Sequence, residues 1–393
     1  MDVRLLLAKM GERGASDLYL TVDSPPMLRI EGSTEPLGNE ALTPAEVESL
    51  AASLMSERQR AAFDEKLEMN LAIASERLGR FRINVFRQRG AVALVIRQIK
   101  VRIPTLDELQ LPPILKTIAL SRRGIVLVTG ATGSGKSTTQ AAILDYRNET
   151  TAGHILTVED PIEFVHTHKK CIVNQREIGF DTLSFGEALK NTLRQAPDVI
   201  LIGEVRDVET MEAAITFADT GHLCLATLHS NNANQAIERV LNFFPPIRHA
   251  EVHLQLSLNL RGIISQRLVP GVDGKRVAAL EILIDTPWAR DLIKKGEIDR
   301  LKEAIEQSTQ EGGQTFDQAL YDLYTQGRIA PEQALANADS ANNLRIRIKN
   351  FDLSHQTADV PRREPRKGDV PDRGIPGDLR VGGSRLSSPL RRV

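Results

Sequence analysis

Gly130-Ala131-Thr132-Gly133-Ser134-Gly135-Lys136-Ser137 fits the pattern G-x-x-x-x-G-K-[ST] without a mismatch. These residue types at this spacing hold nucleotide phosphates. Gly130, Gly133 and Gly135 admit backbone angles that a Cβ resists, so main-chain N–H groups can close on phosphate oxygens. Lys136 brings a full charge to the β- and γ-phosphates, and the Ser137 hydroxyl can sit on Mg²⁺. Thr138 continues the nucleotide-binding stretch. The apolar run Gly124–Thr129 before the loop reads as a buried parallel strand. Ser137–Tyr146 after it reads as a helix, whose N-terminus adds partial positive charge at the same place. ATP with magnesium is the expected ligand.

Hydrolysis also needs a base or water-positioning group, and a second metal contact. Two further strands offer them. His154–Val158 leads into Glu159, Asp160 and Glu163, and ligand groups in open α/β sheets gather at that end of a strand. The bland alternative is a solvated acidic loop. Spacing alone does not separate Glu163 from Glu159 as the base. Asp198–Ile202, then Gly203-Glu204, places an acid where a magnesium-binding Walker B carboxylate belongs, with Glu in place of the usual Asp. His222 and His229 bracket the strand Leu223–Leu228; either is a structural histidine or, for His229, a sensor of the γ-phosphate. Arg194 and Arg206 flank the Glu204 strand, and Arg82 and Arg97 lie on neighbouring strands of an earlier region. Each is a surface arginine unless it reaches the γ-oxygens, where a guanidinium is worth ~10³–10⁵ in rate.

The elements that must position these groups form an α/β chain in two parts. Residues 1–98 read as a small α/β domain. An amphipathic helix start is followed by strands at Asp17–Val22 and Pro26–Ile30. Thr43, Pro44 and Glu46 open a helix with a capping box, and a second helix covers Glu57–Phe63. Strands Arg80–Phe86 and Ala91–Arg97 turn at Arg89-Gly90. Residues 99–113, with Pro104, Pro112 and Pro113, read as a linker. Residues 114–354 read as a parallel-sheet domain with crossover helices up to about Asp285, then a helical part ending in a short piece near Leu344. Residues 355–393, rich in Pro, Gly and Arg, read as a disordered basic tail.

Composition bounds the rest. The 393 residues are 41% hydrophobic and 26% charged with a net charge of −1, as in an ordinary globular protein without a nucleic-acid footprint. Cys171 and Cys224 make neither a disulfide framework nor a zinc site. The chain offers no signal h-region and no apolar run long enough to span a bilayer, so a cytoplasmic location is expected.

The motifs, taken together, resemble the secretion-ATPase superfamily in order and spacing: the glycine loop, Ile155–Glu163, Ile202-Gly203-Glu204 and Thr227-Leu228-His229. Glu159–Phe164, Leu193–Arg206 and Thr220–His229 are similar to the type IV pilus retraction ATPases of the PilT/PilU family. Phe243-Phe244-Pro245, Leu258–Ile264, Gly313–Leu320 and the extension past Asn350 resemble the PilU branch. Trp288–Lys295 matches only in part a helical motif of the PilT branch. The resemblance implies a PAS-like first domain, a RecA-like second domain and a homo-hexameric ring. It implies retraction supported beside a paralogous retraction ATPase, at an inner-membrane pilus platform protein with peripheral membrane contact. It implies that Glu163 activates water, that Glu204 serves magnesium, and that Arg82 and Arg97 approach nucleotide across the ring. The alternative is a ring subunit that binds ATP with little turnover of its own.

Overall fold

The computed structural model describes residues 2–30, 32–75, 78–99 and 102–358, the side chains of 355–358 excepted. The chain divides into two compact units, Met1–Ile348 and Lys349–Val393. The first unit begins with α1 (Val3–Glu12), β1 (Asp17–Leu20), β2 (Met27–Ile30), β3 (Ser33–Pro36), α2 (Pro44–Leu54), α3 (Glu57–Lys66), β4 (Glu68–Ser75), β5 (Gly79–Gln88) and β6 (Ala91–Ile99). The strands form an antiparallel sheet in the order β3-β2-β1-β6-β5-β4. Period-two alternation explains it. Leu18, Leu20, Leu28, Phe81, Ile83, Leu94 and Ile96 share a core with Leu7 and Met10 of α1 and Val47 of α2. The opposite face carries Asp17, Arg29, Arg82 and Arg97 in one cross-strand row. The Thr43–Glu46 capping box forms as expected, and Arg89 and Gly90 take positive φ (52° and 81°) at the hairpin. β3, exposed throughout, and β4, which turns Met69, Leu71 and Ile73 toward the core, are additions to the sequence expectation.

There follow α4 (Ile114–Ala119), β7 (Gly124–Thr129), α5 (Lys136–Thr150), β8 (Gly153–Glu159), β9 (Cys171–Glu177), α6 (Phe185–Lys190), β10 (Val199–Ile202), α7 (Val208–Asp219), β11 (Leu223–Leu228), α8 (Ala233–Leu241), α9 (His249–Asn259), β12 (Leu260–Pro270) and β13 (Arg276–Ile284). The seven-stranded sheet runs β13-β12-β7-β11-β10-β8-β9. All neighbours are parallel except β12 and β13, so the expected parallel sheet gains an antiparallel hairpin at one border. Both faces are covered, hence the unbroken apolar runs. Ile125 and Leu127 of β7 face α7 and α8, while Val126 and Val128 face α4 and α5.

The helical part comprises α10 (Pro287–Lys295), α11 (Leu301–Gln307), α12 (Phe316–Thr325), α13 (Pro331–Ala336) and α14 (Ala341–Ala358). α14 replaces the short piece expected near Leu344. It continues through the first four residues assigned to a tail; residues 359–393 of that tail lie outside the described residues.

The borders of the seven-stranded sheet are closed by local groups. On β9 the amides of Cys171, Val173 and Glu177 donate to Asn148 Oδ1 (3.1 Å), His168 Nδ1 (3.1 Å) and Asp181 Oδ2 (2.8 Å). On β13 the Ile282 amide donates to the Gln314 carbonyl (2.7 Å), and the Ile282 carbonyl accepts from the Gln314 amide (3.1 Å).

Beneath the hairpin lies Glu281, 3% exposed. Its Oε1 accepts from the Ala233 amide at 2.8 Å, at the start of α8. Burial pushes its carboxyl up from 4.5 to about 7. The folded state therefore holds this proton longer than the unfolded one. The stability tied to the proton is complete below pH ~4.5 and is lost as pH rises through ~7. Glu281→Gln keeps the acceptor and removes the titration. Urea denaturation is expected to show the wild type losing up to about 3 kcal/mol more than the variant between pH 4.5 and 8. Equal losses would remove Glu281 as the cause.

Candidate functional site

Like α4, α9, α11 and α13, α5 starts without a side-chain cap, but it alone starts from the glycine loop. Thr43, Ser56, Asp207, Asn232, Thr286 and Thr315 cap α2, α3, α7, α8, α10 and α12 with side-chain oxygens. α5 begins at Gly135 (φ 89°) with no side-chain cap. Its first-turn N–H groups are left for an outside acceptor, which is what an anion needs. The loop above is held in shape from below. Gln266 on β12 is buried, donates Nε2 to the Ser134 carbonyl at 2.8 Å and accepts from Thr139 Oγ1 at 2.7 Å. A Cβ on Gly130 (φ 146°) would lie 2.5 Å from the Gln266 carbonyl, so the two chains meet only because position 130 has no side chain.

Lys136 is 8% exposed, and its Nζ donates to the carbonyls of Gly130 (2.9 Å) and Ala131 (3.0 Å). Burial lowers its ammonium pKa, partly countered by Glu204 and Glu163. Ser137 and Thr138 follow on the same helix turn, and with Thr132, Gly133 and Gly135 they line one wall of a cleft of about 340 Å³.

The opposite wall comes from the C-terminal ends of β8, β10 and β11. It brings together Glu159, Asp160, Glu163, Glu204 and His229. Glu204 is engaged on both oxygens, by His229 Nε2 (3.0 Å) and by Arg206 Nη2 (2.6 Å) and Nε (2.8 Å). Burial raises its carboxyl, but Arg206, His229 and Lys136 outweigh that and hold it below the usual range. Arg206 also reaches Asp160 Oδ2 at 3.3 Å, tying β10 to β8. Gly203 is required here, since a Cβ would lie 3.0 Å from the Glu159 Cα.

Glu159 and Glu163 differ sharply. Glu159 Oε1 accepts from Thr157 Oγ1 (2.6 Å) and Gln175 Nε2 (3.1 Å). Burial pushes it up to about 7. Glu163 is exposed in the cleft, and among the described residues no hydrogen bond or ion pair engages its carboxylate.

Four residues do not join this cleft. His222 sits at the opposite border of the sheet, where its Nδ1 meets Thr220 Oγ1 (3.0 Å) and the Phe217 carbonyl (3.2 Å). β11, which separates it from His229, is six residues long and spans about 20 Å. Arg194 lies ahead of β10 on that same border, exposed, with Nη1 on Asn191 Oδ1 (3.3 Å). Neither reaches the cleft of its own chain, because a strand's two ends cannot share one site. Arg97 bonds Asp17 Oδ1 through Nε at 2.7 Å, and Arg82 lies near Glu177; both belong to the first sheet.

Sequence reading missed Gln266, Gln175, His166 and Arg276. The last two line the cleft, and burial pushes His166 down to about 4, which keeps it neutral at pH 7. Polar residues inside apolar strand runs, such as Ser265-Gln266, were the available signal.

Residues 40–321 match the family model described as type II/IV secretion system protein. The chain belongs to that family. Among members of the type II/IV secretion system protein family it is 55% identical over 350 residues to the type IV pilus ATPase PilU of Pseudomonas aeruginosa, covering 89% of this chain and 92% of the relative. It is 44% identical over 344 residues to the type IV pilus retractation ATPase PilT of the same organism, covering 88% of this chain and all of the relative (100%). A crystal structure of the pilus retraction motor PilT with bound ADP superposes with a TM-score of 0.81 at 43% identity, over 86% of this chain and 98% of that one.

Proposed function

We propose that this chain is the ATP-hydrolysing motor subunit of a type IV pilus retraction machine, of the PilU kind and working beside a PilT-like paralogue. One observation carries the catalytic part. An uncapped helix N-terminus with a buried lysine faces an unengaged carboxylate, Glu163, across a single cleft.

The roles follow from chemistry. The loop amides and Lys136 hold the β- and γ-phosphates, and Ser137 and Glu204 hold magnesium. Among the described residues no three His, Cys, Asp or Glu cluster as a metal cage. That fits magnesium, which takes one or two protein oxygens and fills its shell with phosphate and water. Bound with the triphosphate, it offsets the charge on the phosphate oxygens. Arg206 and His229 aim Glu204. Glu163 takes the proton of the attacking water. A pKa near 7 would suit Glu159 for that work, but its Oε1 is held by Thr157 Oγ1 and Gln175 Nε2, whereas the Glu163 carboxylate is exposed in the cleft and unengaged.

Arg82 and Arg97 lie outside their own chain's cleft, on the face of the first sheet. We assign them to a neighbouring subunit's nucleotide in a homo-hexameric ring. The ring works at the cytoplasmic face of the inner membrane, where ATP is supplied, against a platform protein. Among the described residues no helix is long and apolar enough to cross a membrane.

The test is steady-state ATP hydrolysis by the full chain, with and without magnesium, alongside pilus retraction in cells that lack the gene and carry it back. Magnesium-dependent turnover and restored retraction are expected. Rings that bind ATP but turn over no faster than Glu163→Gln would instead indicate a nucleotide-gated partner of another motor.

A further inference from the structure

We propose that Gln175 is the positioning residue for Glu163, fixing the segment that carries it onto β9. The proposal rests on the reading of Glu163 as the base. β8 and β9 are adjacent parallel strands, and such pairs are usually joined through a helix. Here residues 160–170 cross without one. An irregular crossover must find partners for its backbone groups elsewhere. Its second half is tied to α5: Asn148 Nδ2 donates to the Thr167 carbonyl (2.7 Å), and Asn148 Oδ1 accepts the Lys169 amide (3.2 Å). Lys169 Nζ reaches Asp145 and Glu149 (2.8 and 2.7 Å).

The first half, with Glu163, depends on Gln175. That side chain stands in register with Thr157. Its Nε2 donates to Glu159 Oε1 (3.1 Å) and to the Phe164 carbonyl (2.8 Å), and its Oε1 accepts the His166 amide (2.8 Å). The backbone just after Glu163 is therefore held by one amide, at 164 and at 166. The Glu163 carboxylate itself is left free in the cleft. A carboxylate that must meet a water in line with the γ-phosphate gains its orientation from such a fixed backbone.

The amide's two ends are not interchangeable with any other side chain of similar size. Leucine removes all three bonds. Glutamate keeps the acceptor for His166 and removes both donors, placing a second acid beside Glu159.

The experiment compares wild type, Gln175→Leu, Gln175→Glu, Glu163→Gln and the two doubles, as full-length protein, in steady-state and single-turnover ATP hydrolysis with magnesium. Circular dichroism and nucleotide affinity are read in parallel. A kcat lower by about 10–10²-fold, with KM within about threefold, is expected for the Gln175 variants. In the Glu163→Gln background the Gln175 change is expected to cost nothing further, since it acts through Glu163. Wild-type kcat in Gln175→Glu overturns the proposal, as does a loss that adds in full to that of Glu163→Gln. Should Gln175→Leu fail to fold, Gln175→Glu, at equal length on a half-buried side chain, carries the test. An inactive Glu163→Gln beside unaffected Gln175 variants sinks the positioning role alone. An active Glu163→Gln sinks the base assignment and, with it, the proposal that depends on it.

Discussion

Glu163→Gln is expected to lower kcat for ATP hydrolysis by about 10²–10⁴-fold while nucleotide still binds. The substitution keeps size and shape and removes the proton acceptor. The loop that would hold the phosphates is built from other residues: Gln266 beneath it, Lys136 across it, and the first turn of α5. Affinity is thus expected to change by no more than a few-fold. Glu159→Gln is the informative contrast. Its amide oxygen still accepts from Thr157 Oγ1 and Gln175 Nε2, and the wild-type carboxyl titrates at about 7, so the group is near half-protonated at neutral pH already. Its kcat is expected to fall less than about tenfold, below the range of a lost general base. Single-turnover hydrolysis with a parallel nucleotide-binding measurement decides the matter. A dead Glu159→Gln beside an active Glu163→Gln would exchange the two roles.

Lys136→Ala is expected to lower kcat/KM by about 10³-fold or more, and to weaken nucleotide binding as well. The two variants then differ in kind: one binds without hydrolysing, the other does neither well. Lys136 is the one buried cation among the cleft's described lining residues, so its charge acts at low dielectric on the phosphate oxygens. Arginine is not expected to rescue it. A planar guanidinium has no room where an 8% exposed ammonium bridges two carbonyls. Removing a desolvated charge is not expected to lower the thermal midpoint, which separates loss of the site from loss of the fold. Steady-state kinetics with a fluorescent nucleotide titration reads both effects. Turnover within tenfold of wild type would contradict the assignment.

The phosphate loop was legible because its function is written in backbone permissions. Glycine spacing, a flanking strand and a following helix are all local in sequence. The carboxylates were legible for a related reason: apolar strands announce where they end, and Glu159, Glu163 and Glu204 stand at or just past such ends. The choice between Glu159 and Glu163 was not legible, because it turns on which carboxylate Thr157 and Gln175 occupy, a matter of side-chain direction rather than spacing. Gln266 lies far along the chain from the loop it holds, and only the pairing of β12 with β7 brings it there. His222 and His229 look equivalent as a bracketing pair, yet strand direction puts one of them beside the acids and the other at the remote border. The edge strand β3 was missed because its exposure removes the alternation that a buried strand must show, whereas β4 carries Met69, Leu71 and Ile73 at period two, a signal that was legible.

The closed borders of the seven-stranded sheet limit how copies of this chain can be joined. Asn148, His168 and Asp181 take three amides of β9 and Gln314 pairs with Ile282 of β13, so a neighbour continuing the ladder there would have to displace them. Joints at those borders must be made by side chains. Contacts of that sort slide and re-form with small energetic steps, whereas a shared ladder breaks all at once. The ring proposed above gains from seams that never fuse, and the same plugs hinder stacking of its subunits into fibres.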